Sequence, residues 1–399
     1  MAGAGIGTKE SPFAPGRPVP VEYFVARHKE IERLERAIRQ TLSGRNENIF
    51  ITGERGIGKS SLAWYAHHLA EKETLLGAYC YMGPARSLED VTAIVFQRLL
   101  EGCDKSTFEK LKEAFRKYIK SVNLPFIGVE FTDNKSDLRE LVNGFIPTLR
   151  HIYAGVKENG KNGLFVVMDD LNGVTDLAEF SMFLKSTVDG IATSRAALPL
   201  LLILVGIPDR REDLLKHQRS VERIFDIIDL TLMDEIESRE FFKKTFAEES
   251  INVSKEALSL MVQLSGGYPM LMHEVGDAVF WQDTDSNIDI PDARQGIMEA
   301  ARTVGKKYID PQISKVLRSK TYSSILWRIG KKLPLGGAFK RQELLKEIPA
   351  DEQKNLDNFL SRIKKLGIVD DAEVWGEYRF VNPLFHLYVW YEAKSKAEP

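Results

Sequence analysis

An α/β fold with a parallel sheet is the class this 399-residue sequence predicts, and three observations carry it. Apolar runs of strand length, at residues 49–51, 164–168 and 200–205, alternate with stretches whose apolar residues recur at helical spacing. The first run leads through Gly53-Glu54-Arg55-Gly56-Ile57-Gly58-Lys59-Ser60 into a pattern carrying Leu62, Ala63, Tyr65, Ala66 and Leu69 on one helix. After Met233 the strand-like runs give way to short helical patterns, so smaller modules should follow the sheet domain.

The length suggests two or three domains. A formal net charge of −2 argues against a globally basic nucleic-acid binder and leaves room for a local basic face. Cys80 and Cys103 are the only cysteines, and neither belongs to a metal or redox spacing, which fits a reducing, cytoplasmic location. The longest apolar run, residues 198–207, is strand-sized and contains Pro199, so no membrane partner is expected. The N-terminus lacks the basic segment and apolar core of a secretory signal.

Residues 1–20 contain Pro12, Pro15, Pro18 and Pro20 and read as an extended arm. Phe24, Val25, Ala26 and Arg27 then lead into a helix with Ile31, Leu34 and Ala37 on one face. The run 53–60 matches the phosphate-loop pattern G-x-x-x-x-G-K-[ST] in full, between a strand and a helix. Its glycines let the backbone turn and aim N–H groups at phosphate oxygens, and the helix start adds a positive dipole end. Lys59 supplies a charge for the outer phosphates, and the Ser60 hydroxyl can ligate Mg²⁺.

Residues 78–82 read as the second strand, Ser87 with Asp90 as a capping pair, and Ser106 with Glu109 as another. A short strand or hairpin arm is expected at 126–132, and a long helix carrying Leu138, Leu141, Phe145, Leu149, Ile152 and Val156 after it. The connection between the second and third strands is therefore unusually long. The third strand, 164–168, ends in Asp169-Asp170. A fourth strand closes at Gly206-Ile207-Pro208, and a fifth spans 225–230. Between them lie Arg219 and Arg223, whose spacing of four would place both on one helix face.

The later modules are marked by Phe241, Phe242 and Phe246, then by Leu264-Ser265-Gly266-Gly267-Tyr268-Pro269, a glycine stop followed by a proline start. The pattern restarts near Ile309 as three helices, a polar turn at 370–373 and a strand at 378–381, which read together as a winged helix. Lys and Arg mildly exceed Asp and Glu there, and Arg341, Arg362, Lys364 and Lys365 could meet phosphates. However, Asp370, Asp371, Glu373 and Glu377 crowd the wing. His67, His68 and His386 have no ligand-like partners at useful spacing and read as surface or packing residues.

Taken with the segments 11–16 and 24–30, these motifs resemble the AAA+ P-loop ATPases of the STAND-like, archaeal-ATPase kind with a C-terminal winged helix. That family reads Phe-x-Gly-Arg where this chain has Phe24-Val25-Ala26-Arg27. The resemblance implies that the backbone at Val25 and Ala26 lies against adenine. It implies that Gly53, Glu54, Arg55, Gly56, Ile57, Gly58, Lys59, Ser60 and Ser61 bind the nucleotide. The strand ending at Asp169-Asp170 resembles the Walker B element, with Ser60 and Asp169 on Mg²⁺ and Asp170 polarising the attacking water. Arg219 and Arg223 become candidates for a finger reaching a neighbouring subunit. Gly267-Tyr268-Pro269 resembles the lid motif in which the proline packs near the base. His273 and Glu274 stand where other members place a sensor arginine, and most members carry Asp-Glu rather than Asp-Asp, so turnover should be slow.

The expected organisation is an arm (1–20), a nucleotide domain (21–232, with an insertion near 101–137), a helical lid (233–308) and a winged helix (309–399). The expected activity is hydrolysis of ATP to ADP and phosphate with Mg²⁺. Nucleotide state would reposition the winged helix and control a protein partner or self-assembly. The alternative is a loader, initiator or transposition regulator that engages duplex DNA through the winged helix; a weaker third is a scaffold that binds nucleotide and barely hydrolyses it.

Overall fold

A computed structural model describes residues 10–118, 143–313, 319–332 and 334–395. The short arm expected at 126–132 and the helical residues Leu138 and Leu141 lie outside the described residues. The chain divides into two units: Pro20–Thr231, and a second that joins the arm ending at Val19 to the chain from Leu232 onward.

The first unit runs α1 (His28–Leu42), β1 (Glu47–Gly53), α2 (Lys59–Lys72), β2 (Leu75–Tyr81), α3 (Leu88–Glu101), α4 (Lys105–Tyr118), α5 (Phe145–Lys157), β3 (Gly163–Asp169), α6 (Ala178–Ala192), β4 (Leu200–Val205), α7 (Pro208–His217), α8 (Val221–Ile224) and β5 (Asp226–Leu230). The five strands form one parallel sheet in the order β2-β3-β4-β1-β5. Every residue of β3 and β4 is buried, as expected when helices cover both faces of a parallel sheet. Alternation divides the side chains. Phe50, Val166, Met168, Leu202 and Leu204 join Val95, Phe96, Leu149 and Phe180 in one core, while α1 and α2 pack over the same strands separately. The sheet order brings the carboxyl ends of β1 and β3 to one edge, where ligands of open α/β sheets bind.

Local signals decide the helix starts. The Ser87 hydroxyl accepts from the Asp90 amide at 3.2 Å, the cap the sequence predicts. The next cap is Asp104 rather than Ser106: its carboxylate accepts from the amides of Ser106 and Thr107 at 3.0 and 3.1 Å. Aspartate two residues earlier outcompetes serine because one charged oxygen accepts from both free amides while the other takes the Thr107 hydroxyl.

In the second unit, α9 (Glu235–Glu248), α10 (Lys255–Ser265), α11 (Pro269–Phe280) and α12 (Ile290–Val304) build a helical module. It is not free of strands as expected, since β6 (Asn252–Val253) pairs in parallel with β7 (Asn287–Ile288). The arm is an integral part of this unit. Phe13 is buried against Phe241, Phe242 and Phe246, with its ring centre 4.9 Å from that of Phe246. Gly276 on α11 makes room for that ring, because a Cβ there would stand 2.2 Å from it. The Ala14 amide donates to His273 Nδ1 at 3.2 Å, and burial holds that imidazole neutral, with its pKa lowered to about 4.

The chain continues through a π-turn (Gly305–Ile309) and α13 (Asp310–Ile313) to α14 (Lys320–Gly330), β8 (Phe339–Lys340), α15 (Arg341–Glu347), α16 (Ala350–Gln353), α17 (Leu356–Lys365), β9 (Val369–Asp371), β10 (Glu377–Phe380) and α18 (Pro383–Ser395). The order of the antiparallel sheet is β8-β10-β9, and Trp375 at the β9–β10 tip is 99% exposed. Helix α18 packs on α12 and α14. Asn382 donates to the Ser265 carbonyl at 2.9 Å, and the Tyr388 hydroxyl to Asp310 at 2.8 Å. The helices after Leu232 and the C-terminal module therefore share one core. No helix among the described residues is long and apolar enough to cross a membrane.

Candidate nucleotide site

The loop between β1 and α2 turns on three glycines with positive φ: Gly53 at 140°, Gly56 at 77° and Gly58 at 98°. Two of them show different constraints. A Cβ on Gly53 would stand 2.6 Å from the Leu230 carbonyl oxygen of β5, so this glycine lets the loop leave against a neighbouring strand. A Cβ on Gly58 would meet nothing within 4 Å, so the left-handed backbone there faces open space. Ile57 is buried and anchors the middle of the loop. Helix α2 starts at Lys59 with glycine as its N-cap and no side-chain cap, so the positive end of the helix opens onto the loop. That is the cradle a polyphosphate needs.

Lys59 lies along the loop, its ammonium donating to the carbonyls of Gly53 and Glu54 at 2.9 and 2.7 Å. Burial lowers its pKa below the ordinary lysine value, and attraction from Asp169 and Glu54 offsets part of that. Ser60 occupies the first turn of α2, half-buried, with Ser61 buried behind it. Asp169, 8% exposed, ends β3. Its Oδ1 accepts from the Asp170 amide at 2.8 Å and its Oδ2 from the Tyr79 hydroxyl. The same hydroxyl lies 3.4 Å from the Ser60 carbonyl oxygen, so Asp169 and the first turn of α2 meet at one phenol. Among the described residues no cluster of three or more His, Cys, Asp or Glu could hold a metal by itself. Ser60 and Asp169 offer two oxygen donors side by side, the kind of set that Mg²⁺ takes before it completes its shell with phosphate and water.

Asp170 adopts a left-handed backbone, φ 57°. Its carboxylate accepts from Asn172 Nδ2, and its proximity raises the pKa of the Tyr81 phenol. Tyr79 and Tyr81, two residues apart on β2, thus each reach one member of the acidic pair. Sequence reasoning missed both. Alternation along 75–81 was the available signal, but it acquires meaning only once β2 is known to lie beside β3.

The lead-in segment is fastened to the loop. Ala26 and Arg27 both have positive φ, 63° and 61°, which gives a physical reason for the glycine that the resembled family carries at the position of Ala26. Val25 is half-buried, and Phe24 stacks on Tyr65 of α2 with ring centres 4.7 Å apart. Arg27 is 3% exposed, and its guanidinium donates to the Ile57 carbonyl at 3.2 Å and the Thr231 carbonyl at 2.7 Å. It also faces Glu30 at 3.6 Å. Arg27 thus joins the phosphate loop to the last residue of the first unit, a role its motif position alone does not reveal.

Arg219 and Arg223 are both exposed, but they do not share a helix face. Helix α7 ends at His217, Gln218 is extended, and Arg219 lies in the turn before the four-residue α8 that carries Arg223. Pro269 belongs to the second unit, where it opens α11 after a turn in which the Gly267 carbonyl accepts from the Met233 amide at 2.9 Å. His273 and Glu274 are occupied within that unit, His273 by the arm and Glu274 by Lys307 at 2.8 Å.

Residues 23–203 match the family model of the AAA ATPase domain. The fold is similar to that of the Walker-type ATPase of Pyrococcus abyssi, at 18% identity over 94% of this chain and 98% of that one, with a TM-score of 0.53. It is also similar to the ORC2 protein of Aeropyrum pernix in its ADPNP–ADP complexes, at 14% identity over 98% of each chain, with a TM-score of 0.57. No curated protein matches the chain. The first unit accordingly has the AAA+ P-loop fold, with its parallel sheet and phosphate loop in place.

Proposed function

We propose that this chain is an ATP-binding, slowly ATP-hydrolysing switch whose nucleotide state repositions the C-terminal winged-helix module and so controls partner binding or assembly. The observation that carries the reading is the double attachment of Arg27. One buried guanidinium holds the phosphate loop at Ile57 and the end of the first unit at Thr231, one residue before the chain passes to the second unit. A rearrangement of the loop changes both bonds together. Because α18 packs the winged-helix residues onto α12, residues 233–308 and 309–399 would respond as one body.

In the site, the amides of residues 56–61 would bind phosphate oxygens, and Lys59 would exchange its carbonyl partners for the outer phosphates. Ser60 and Asp169 would hold Mg²⁺, which when bound neutralises charge on the bridging phosphate oxygens. Asp170 would orient and polarise the attacking water. Asn172 already donates to that carboxylate, which fits slow turnover. Val25, Ala26 and Pro269 are assigned to the base, and Arg219 and Arg223 remain finger candidates in an assembly. The ORC2 structure was solved with ADPNP and ADP, which supports ATP and ADP as the ligands here.

The DNA-engaged alternative is less well supported. Of the four cations proposed for phosphate contact, Arg341 is held by both oxygens of Asp357 at 2.6 and 2.8 Å, and Lys364 pairs with Asp370 and Asp371. Binding a phosphate backbone through them would first break those pairs.

Asp170→Asn tests the reading. Turnover is expected to fall by about 100-fold or more, while ATP affinity stays within about threefold, because the change removes the water-polarising charge and keeps the shape. Single-turnover assays and nucleotide titration check it. Unchanged turnover would contradict the role of Asp170.

A further inference from the structure

We propose that Tyr79 is the positioning residue of the metal side of this site: its hydroxyl fixes the Asp169 carboxylate against the first turn of α2. The proposal rests on the Mg-nucleotide reading above and deepens it. Four features of the structure carry it. Tyr79 lies on β2, the strand beside β3, in register with Val167, so its ring stands next to the strand end that carries Asp169. The two oxygens of Asp169 have separate donors, the Tyr79 hydroxyl on Oδ2 and the Asp170 amide on Oδ1, which together oppose rotation of the carboxylate from both sides. The phenol gives its one proton to Asp169, and its oxygen lies 3.4 Å from the Ser60 carbonyl oxygen, which places that carboxylate beside the residue proposed to share the metal with it. The ring itself is held: Trp64 meets it edge-on at 5.1 Å and His67 at 6.3 Å.

Packing alone would be served equally well by phenylalanine. The hydroxyl adds the hydrogen bond to Asp169. An ordinary tyrosine phenol carries its proton at neutral pH, so the hydroxyl is a donor to the carboxylate. A ligating carboxylate oriented by an outer hydrogen bond binds its metal more tightly, and losing such a partner typically costs about 10–100-fold in metal affinity or activity.

The test is Tyr79→Phe in the full chain, with binding of a fluorescent ADP analogue measured in EDTA and across a Mg²⁺ titration. Affinity in EDTA and the thermal midpoint in EDTA are expected to match the wild type within error. The Mg²⁺ concentration giving half of the affinity gain is expected to rise about tenfold. An unchanged Mg²⁺ midpoint would overturn the proposal. A lower midpoint would overturn it too, by showing that Tyr79 competes with the metal for Asp169. A wild-type chain that binds nucleotide with no Mg²⁺ dependence would overturn the metal reading itself, and the separate wild-type titration makes that failure distinguishable.

Discussion

Replacing Lys59 by alanine is expected to weaken Mg-ATP binding by about 100-fold while leaving the fold intact. The ammonium is the only lysine charge placed inside the loop by the motif, and it already lies against the carbonyls of Gly53 and Glu54. Moving onto the outer phosphates would form charge-assisted bonds of about 1.5–3 kcal/mol each, and a loss of about 3 kcal/mol corresponds to about 100-fold. Of the two carbonyls it leaves behind, that of Glu54 is exposed to water and that of Gly53 is part-buried, so the unfolding midpoint should fall only slightly. Calorimetric titration of wild type and variant measures the affinity, and a thermal scan checks the fold. An affinity within threefold of wild type would contradict the placement of the phosphates.

Phe13→Ala is expected to destabilise the second unit by about 3–5 kcal/mol, the usual cost of removing a fully buried aromatic ring. The size follows from the packing: three phenylalanines and His273 surround the ring, and Gly276 leaves no Cβ in the space it fills. The arm would then lose its anchor, since the Ala14–His273 bond depends on Phe13 being seated. Urea unfolding followed by intrinsic fluorescence reads the loss, and limited proteolysis near Arg17 should show an earlier cut. A change below about 1 kcal/mol would mean that the arm is not part of this core.

What was legible in the sequence was chemistry written in consecutive residues. The phosphate loop needs three glycines, a lysine and a serine within eight positions, and the acidic pair sits directly at a strand end, so both could be read without knowing the sheet. The order of strands could not, and with it went Tyr79 and Tyr81, whose partners lie about ninety residues away on a neighbouring strand. Phe13 read as part of a proline-rich extended arm, because its pocket is made by residues more than two hundred positions later. Arg27 was visible as a motif residue, but its bonds to Ile57 and Thr231 join three distant segments. The helix assumed for Arg219 and Arg223 failed for a local reason: the extended Gln218 ends α7, and Ser220 at the start of α8 makes no side-chain cap. The two-residue strands β6 and β7 are too short to show any periodicity.

ATP turnover by the purified full chain, with and without duplex DNA, tests the central claim most directly when molar mass is followed in ADP and in a slowly hydrolysed ATP analogue. The switch reading predicts slow turnover and tight nucleotide binding that DNA does not change, with any change in molar mass following the nucleotide alone. Turnover stimulated by DNA in a salt-sensitive way, with assembly driven by the ATP analogue, would contradict it and turn Arg219 and Arg223 into the next residues to mutate.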